Sequence, residues 1–332
     1  MSLGNKAAIE VTMPKKKLGI CIPTWNRGEL LKQCVESVLP QLTDQTRLVV
    51  LDNASTDQSQ AYLSSLGDTI TYVRHPENQG YIGNFQACVA QSAQFDWIAI
   101  LHSDDIYSEN AVPAAVAAID AHPTSGLIFS SSHQIDSDGN LIHSGTVLKH
   151  SVVSSRGTIA VQRCQSQIPC SSTIYNSLAI QQAGLPSGRY QYSADEEYNA
   201  RIARNWDIVQ IPTILSSYRH HPQHTMRETW RSPDFIASFT NMRIQMNSYL
   251  ELSEQVSESE VRWQTAAMLL GHCSYLDALG DTSTSDQFYR HAIATDRKRF
   301  FSRPKAVARW LIHKTPGLNR FLARRLSKSY SH

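Results

Sequence analysis

Through its first 135 residues, short β-branched runs alternate with longer segments of helical period. That alternation is what βα units feeding a mostly parallel sheet require. The runs LGICI (18–22), RLVVLD (47–52), TITYVR (69–74), WIAILH (97–102) and GLIFSS (126–131) read as strands. Between them lie ELLKQCVESVL, a stretch near 57–66, GNFQACVAQSA and NAVPAAVAAID. In the first of these, Leu30, Leu31, Cys34, Val35 and Val38 recur at the three- and four-residue spacing that gives a helix one apolar face. The expected class is α/β, with helices flanking the sheet.

From about 157 to 220 the pattern becomes mixed, with runs such as CSSTIY and IPTILSSYR around the helical ADEEYNARIARN. Beyond Met226 it turns helical through DFIASFTNMRIQMNSYLEL, EVRWQTAAMLLGHCSYLDAL and SDQFYRHAIATDRKRFF. The organisation expected is therefore a sheet domain over 15–225 and a helical region with a basic tail over 226–332. A chain of 332 residues with 41% hydrophobic content can bury a sizeable core in this way.

Charge is unevenly placed. After Asp296 there are eleven Lys and Arg and no Asp or Glu, whereas the preceding part carries 20 basic against 29 acidic residues. In RPKAVARWLIHKTPGLNRFLARRLSKSY these cations interleave with Trp310, Leu311, Ile312, Leu318, Phe321, Leu322 and Leu326. Such a basic amphipathic stretch suits the surface of an anionic membrane, and no motif supports nucleic acid as the partner instead. No apolar run reaches the length of a membrane span, and the N-terminus lacks the apolar core of a signal peptide. The six cysteines form no C-x-x-C pair and several sit in apolar runs, so they read as reduced, buried side chains. The expected location is the cytoplasm, peripherally on the inner face of the plasma membrane.

Ligands of open α/β sheets bind beyond the carboxyl ends of the strands. Those ends are polar here: PTWNR, DNASTD, HPENQG and HSDD follow the first four runs. A dinucleotide fold would place G-x-G-x-x-G after the first strand, but PTWNRG offers only Gly28, and a Walker loop is absent. A nucleotide would instead be held by side chains spread over several strand ends. Asp52 could accept a base imide N–H or a ribose hydroxyl, while Asp57 is placed to cap the helix that follows. Asp104 and Asp105 repel one another at the mouth of the fourth strand, and Mg²⁺ or Mn²⁺ clamped to a diphosphate would relieve that repulsion.

Together, PTWNR (23–27), LDNASTD (51–57), ENQGYIGNF (77–85) and ILHSDD (100–105) resemble the successive motifs of the family 2 glycosyltransferases with the Rossmann-like GT-A fold. The resemblance implies a sugar moved from a nucleoside diphosphate sugar to a hydroxyl of a saccharide or lipid-linked saccharide, with inversion and a divalent cation. By it, Pro23, Thr24 and Asp52 contact the nucleoside, and Asn78 and Gly80 shape the donor pocket. Asn26, Arg27, Asn53, Asn84 and Ser103 fall within the same motifs and join the donor-binding set.

Residues 102–105 would be the D-x-D metal motif, with His102 where relatives place an acid, Asp104 as the principal ligand and Asp105 as its helper. Many relatives also carry an Arg where this chain has Ile82, Gly83 and Asn84. In YSADEEYNARIAR the acids resemble the family's catalytic-base motif: Glu196 is the first choice, then Asp195 and Glu197, the register being open by one residue. His221 in SYRHH fits the histidine that completes the metal or phosphate site. The rivals are a sugar-nucleotide pyrophosphorylase, whose Gly-rich signature and Lys PTWNRGELLK lacks, and a nucleotide-sugar-binding protein without turnover.

Overall fold

A computed structural model of the chain describes residues 16–158, 168–190, 193–221, 229–278 and 280–315. Cys164, the N-terminal segment and the tail cations beyond Thr315 lie outside the described residues.

The first four strands form where the β-branched runs predict them: β1 (Lys16–Thr24), β2 (Thr46–Asp52), β3 (Thr71–Arg74) and β4 (Phe95–Ile100). They associate in parallel in the order β3-β2-β1-β4, with Ile20 opposite Leu48 and Thr24 opposite Asp52. Helices α1 (Gly28–Val38), α2 (Ser59–Ser65) and α3 (Gly80–Ala90) follow the first three strands. Leu31, Cys34, Val35 and Val38 of α1 are buried. Each aliphatic side chain so buried contributes about 1.5–3 kcal/mol relative to leaving it in water.

The short strand β5 (Ile106–Tyr107) follows the fourth run, and α4 (Ala111–Ala121) follows β5. Next come β6 (Leu127–Phe129), β7 (Ser132–Ile135), β8 (Leu141–His143), β9 (Val152–Ser154) and β10 (Thr173–Asn176). The GLIFSS strand, β6, is not the neighbour of β4. The fully buried TIYN of β10 inserts between them, antiparallel to both. Helices α5 (Ser177–Ala183) and α6 (Ala194–Ala203) lead to β11 (Ile208–Gln210) and β12 (Ser216–Arg219). The main sheet has eight strands in the order β3-β2-β1-β4-β10-β6-β11-β9; a smaller one of four strands runs β5-β12-β7-β8.

The last third is helical: α7 (Phe235–Asn247), α8 (Glu258–Ala278), α9 (Thr282–Thr295), α10 (Arg297–Phe301) and α11 (Pro304–His313). The stretch 285–301, expected as one helix, breaks at Asp296. Its backbone is extended (φ −154°) and its carboxylate accepts from Arg299 N at 3.0 Å, capping the next helix. Phe235, Phe239, Met242, Trp263, Leu269, Phe288 and Phe300 form the core of this part, and Tyr190 and Ala200 join it from the sheet side. No described helix is long and apolar enough to cross a membrane.

Candidate active site

The carboxyl ends of β1, β2 and β4 lie side by side, so the polar segments that follow them share one cleft. Asn26 adopts a left-handed conformation (φ 51°), which asparagine tolerates well. Its Oδ1 accepts from Thr56 N at 2.7 Å and its N–H donates to Ser55 Oγ at 2.9 Å, fastening the first strand-end loop to the second. Arg27 is thereby directed at the fourth strand end, with Nε 3.5 Å from Asp104 Oδ2.

Asp52 is fully buried. Its Oδ1 accepts from Ser55 N at 2.9 Å, and its Oδ2 accepts from Tyr72 Oη at 2.9 Å and from Arg74 Nη1. Burial works to raise this carboxyl, but the hydrogen bonds from Ser55, Tyr72 and Arg74 outweigh it and hold the group below its ordinary value. Asp52 thus orients Arg74, whose side chain is 31% exposed and is the member of the cluster that reaches solvent.

Asn53 organises the third segment: its Nδ2 donates to Asn78 Oδ1 at 2.8 Å and to the Gly80 carbonyl at 3.1 Å, and its Oδ1 accepts from Gln79 N at 2.7 Å. Gly80 opens α3 with φ 71°, a conformation that costs glycine little. Asn84, one turn on, is buried and donates to the Leu51 carbonyl at 3.1 Å. Its Oδ1 and Thr24 Oγ1 are buried with no hydrogen-bond partner among the described residues. Pro23 pairs with Leu51 in the sheet just below.

At the fourth strand end, ligand atoms of His102, Asp104 and Asp105 lie within 4.8 Å of one another. Asp104 Oδ2 meets His221 Nε2 at 3.0 Å, so the histidine expected from SYRHH does reach the acid. Burial alone would raise Asp104, but His221, His102 and Arg27 together hold it well below the usual carboxylate range. Asp105 differs. Burial and the adjacent Asp104 charge push it above that range, and both of its oxygens are engaged, by Arg219 N at 2.9 Å and Ser171 Oγ at 2.5 Å. Ser103 is buried in the same turn.

Sequence reasoning missed Arg219, two residues before His221. Its guanidinium is almost wholly buried and donates to the Asp104 carbonyl (2.9 Å), the Ser137 carbonyl (3.1 Å) and Gln33 Oε1 (2.9 Å). The side chain thus clamps the Asp104–Asp105 turn against α1 and the loop after β7.

The His102 ring packs edge-on to Tyr81 at 6.3 Å, the His102 backbone N–H donates to Ser171 Oγ at 3.0 Å, and the His102 side chain is hydrogen-bonded to Cys170. Its Nε2 is buried with no partner among the described residues. A buried, unpartnered imidazole nitrogen beside two carboxylates is a donor set that fits a divalent cation of the Mn²⁺ kind, which accepts nitrogen as well as oxygen ligands.

The three acids of α6 have separate surroundings, since successive helical residues point about 100° apart. Glu197 is buried, paired with Arg201 Nη2 at 3.0 Å and accepting from Tyr249 Oη at 2.7 Å. Glu196 neighbours Arg243 of α7; burial and the Asp195 charge push it up to about 7, against the pull of Arg243 and Ser193. Asp195 is near enough to His102 to interact with its charge. Burial raises it, and the opposing influence comes first from His102.

An α/β sheet with an inserted antiparallel strand and an Asp–Arg–His cluster at its carboxyl ends defines a protein of the GT-A fold. The chain overlays the S. aureus TarS fragment 1–349, solved with UDP-GlcNAc, with TM-score 0.61 over 95% of this chain and 91% of that one, at 16% identity. GalNAc-T7, solved with UDP, GalNAc and Mn²⁺, overlays 71% of this chain and 50% of that one, with TM-score 0.52 and 12% identity.

Residues 19–173 match the family model described as glycosyl transferase family 2. Two curated relatives are the glycosyltransferase GlyG of Streptococcus pneumoniae (27% identity; 37% of this chain, 42% of that protein) and the putative colanic acid biosynthesis glycosyl transferase WcaA of Escherichia coli K12 (31%; 30% and 37%). The matched segments span less than half the length of these relatives.

Proposed function

We propose that the chain transfers a sugar from a nucleoside diphosphate donor to an acceptor hydroxyl, with inversion, and that Asp195 rather than Glu196 is the base. One observation supports this reading above the others: Asp195, from a separate helix, lies close enough to His102 of the His102–Asp104–Asp105 cluster for their charges to interact, and Arg27 reaches the same cluster at Asp104. Glu197 is held by Arg201 and Tyr249, and Glu196 lies within the charge influence of Arg243, which favours Asp195 as the acid that meets the acceptor.

The acceptor oxygen attacks the anomeric carbon while its proton passes to the Asp195 carboxylate; the bond from that carbon to the diphosphate breaks, and the diphosphate leaves with the electron pair. Arg27 is placed to counter the charge gathering on the leaving group, and Arg74, oriented by Asp52, to meet the nucleoside. His102 and Asp104, with Asp105 and His221 beside them, would hold Mn²⁺ or Mg²⁺, which supplies Lewis-acid stabilisation of a diphosphate. The name of WcaA, with its reference to colanic acid biosynthesis, favours a bacterial saccharide as the acceptor. The basic face of α11 favours an anionic membrane as the place of work.

The test is a thermal-shift panel of nucleoside diphosphate sugars with Mn²⁺, followed by donor hydrolysis and transfer. A ligand at 100 times its dissociation constant stabilises by about 2.7 kcal/mol. At least one donor should raise the melting point of the wild type, and Asp104→Ala should lose that response. An equal response in Asp104→Ala would show that the metal assignment is wrong.

A further inference from the structure

A second cavity lies at the opposite end of α6 from Asp195. Its volume is about 410 Å³, and its walls include Arg156, Gln182, Arg204, Asn205, Tyr249 and Glu251. The helix between the two places runs Ala194–Ala203; at 1.5 Å per residue it sets them on the order of 15 Å apart. The cavity is therefore distinct from the nucleotide cleft.

Its walls are tied by backbone bonds. Gly157 N donates to the Ala203 carbonyl at 2.8 Å, and Glu251 N donates to the Gly157 carbonyl at 3.0 Å. These two bonds pin the turn after β9 between the end of α6 and the segment after α7. Gly157 has φ 69°, and a Cβ there would meet Glu251 Cγ at 3.5 Å, so glycine suits both the turn and the approach.

The chemistry of the walls is specific. Among the described residues, neither Arg156 nor Arg204 has a salt-bridge partner. The Arg204 guanidinium lies 6.0 Å from the Tyr249 ring centroid, and the Tyr249 hydroxyl is committed to Glu197, so that ring is held in place. Gln182 Oε1 accepts from Trp206 Nε1 at 2.6 Å, which orients the amide. Two guanidinium groups against the single carboxylate of Glu251 give the cavity a positive balance.

Guanidinium groups match a carboxylate in two-point fashion. Amides and a carboxylate pair with hydroxyls, and a tyrosine ring packs against C–H surface. A bare anion would use the arginines alone, and a lipid would find too few apolar walls. We propose that this cavity is a second saccharide-binding site, taking an acidic sugar residue of a polysaccharide independently of the nucleotide.

Calorimetry on the full chain without nucleotide tests it, using a galacturonic acid trisaccharide, neutral maltotriose and inorganic phosphate. The acidic trisaccharide should bind more tightly than the other two and weaken as salt is raised. Arg156→Gln/Arg204→Gln should lose about tenfold or more of that affinity, the scale of a charge-assisted hydrogen bond, while its response to UDP with Mn²⁺ stays that of the wild type. Should the double variant fold poorly, Gln182→Ala at an exposed position should weaken the trisaccharide selectively. The proposal is overturned if the trisaccharide binds no better than maltotriose or phosphate, or if the folded variants bind it as the wild type does. Because UDP is read separately, failure here and failure of the transferase reading are distinguishable.

Discussion

Asp195, Glu196 and Glu197 are identical in kind to a sequence reader, yet their partners come from far along the chain: His102, Arg243 and Tyr249. That is why the choice among them stayed open by one residue in the sequence. Helical period says that they diverge, not what each one meets. Arg74 and Arg219 escaped for the same reason, since their importance lies in Asp52 and in the Asp104 carbonyl. Asp195→Asn should lower kcat by about 10²–10⁴-fold, the usual contribution of a positioned base, with UDP binding unchanged in the same thermal-shift assay. Retained turnover would return the role to Glu196. For Glu196 itself the pH dependence carries the test. Its folded pKa is raised from 4.5 to about 7, so its protonated form contributes stability below pH 4.5 that is lost as pH rises through 7. Glu196→Gln removes that loss, so its melting point relative to wild type should climb across this window; a difference that stays flat with pH would contradict the buried placement.

At the scale of elements, the strands and flanking helices up to α4 were legible because each buries a run whose period is its own signature. The insertion of β10 between β4 and β6 was not. TIYN reads the same whether it runs parallel or antiparallel, and only pairing decides. The site's loops were legible as polar strand ends, but the bonds that lock them, Asn26 to Thr56 and Asn53 to Asn78, join segments some 25–30 residues apart. The same holds for the join between α6 and the helical region. Tyr249 follows α7 and donates to the buried Glu197 carboxylate, which a single Arg201 otherwise balances. Tyr249→Phe leaves that carboxylate short of a donor and should destabilise the fold by about 1–3 kcal/mol. Urea unfolding reads this as a lower midpoint at constant slope; an unmoved midpoint would mean that the bond does not hold the two parts together.

Across the whole molecule, the uneven charge seen in the sequence acquires a direction in α11. Val307 and Trp310 turn inward onto the helical core, and His313 is fixed by Asp277 at 3.0 Å. Leu311 is 54% and Phe301 45% exposed, and Lys305 and Arg309 are exposed on the same short segment. One side of this helix is thus anchored to the protein while the other offers cations with apolar side chains between them, the composition an anionic bilayer surface attracts. Each cation near such a surface contributes about 1 kcal/mol, and the attraction is screened beyond roughly 10 Å at 0.1 M salt. Vesicles rich in phosphatidylserine should therefore sediment the protein at low salt and release it as salt rises, while phosphatidylcholine vesicles should not. Lys305→Glu/Arg309→Glu keeps the anchored face and should abolish sedimentation with no change in melting point. If that variant sediments as the wild type does, the described helix is not the contact, and the attraction must come from cations elsewhere in the chain.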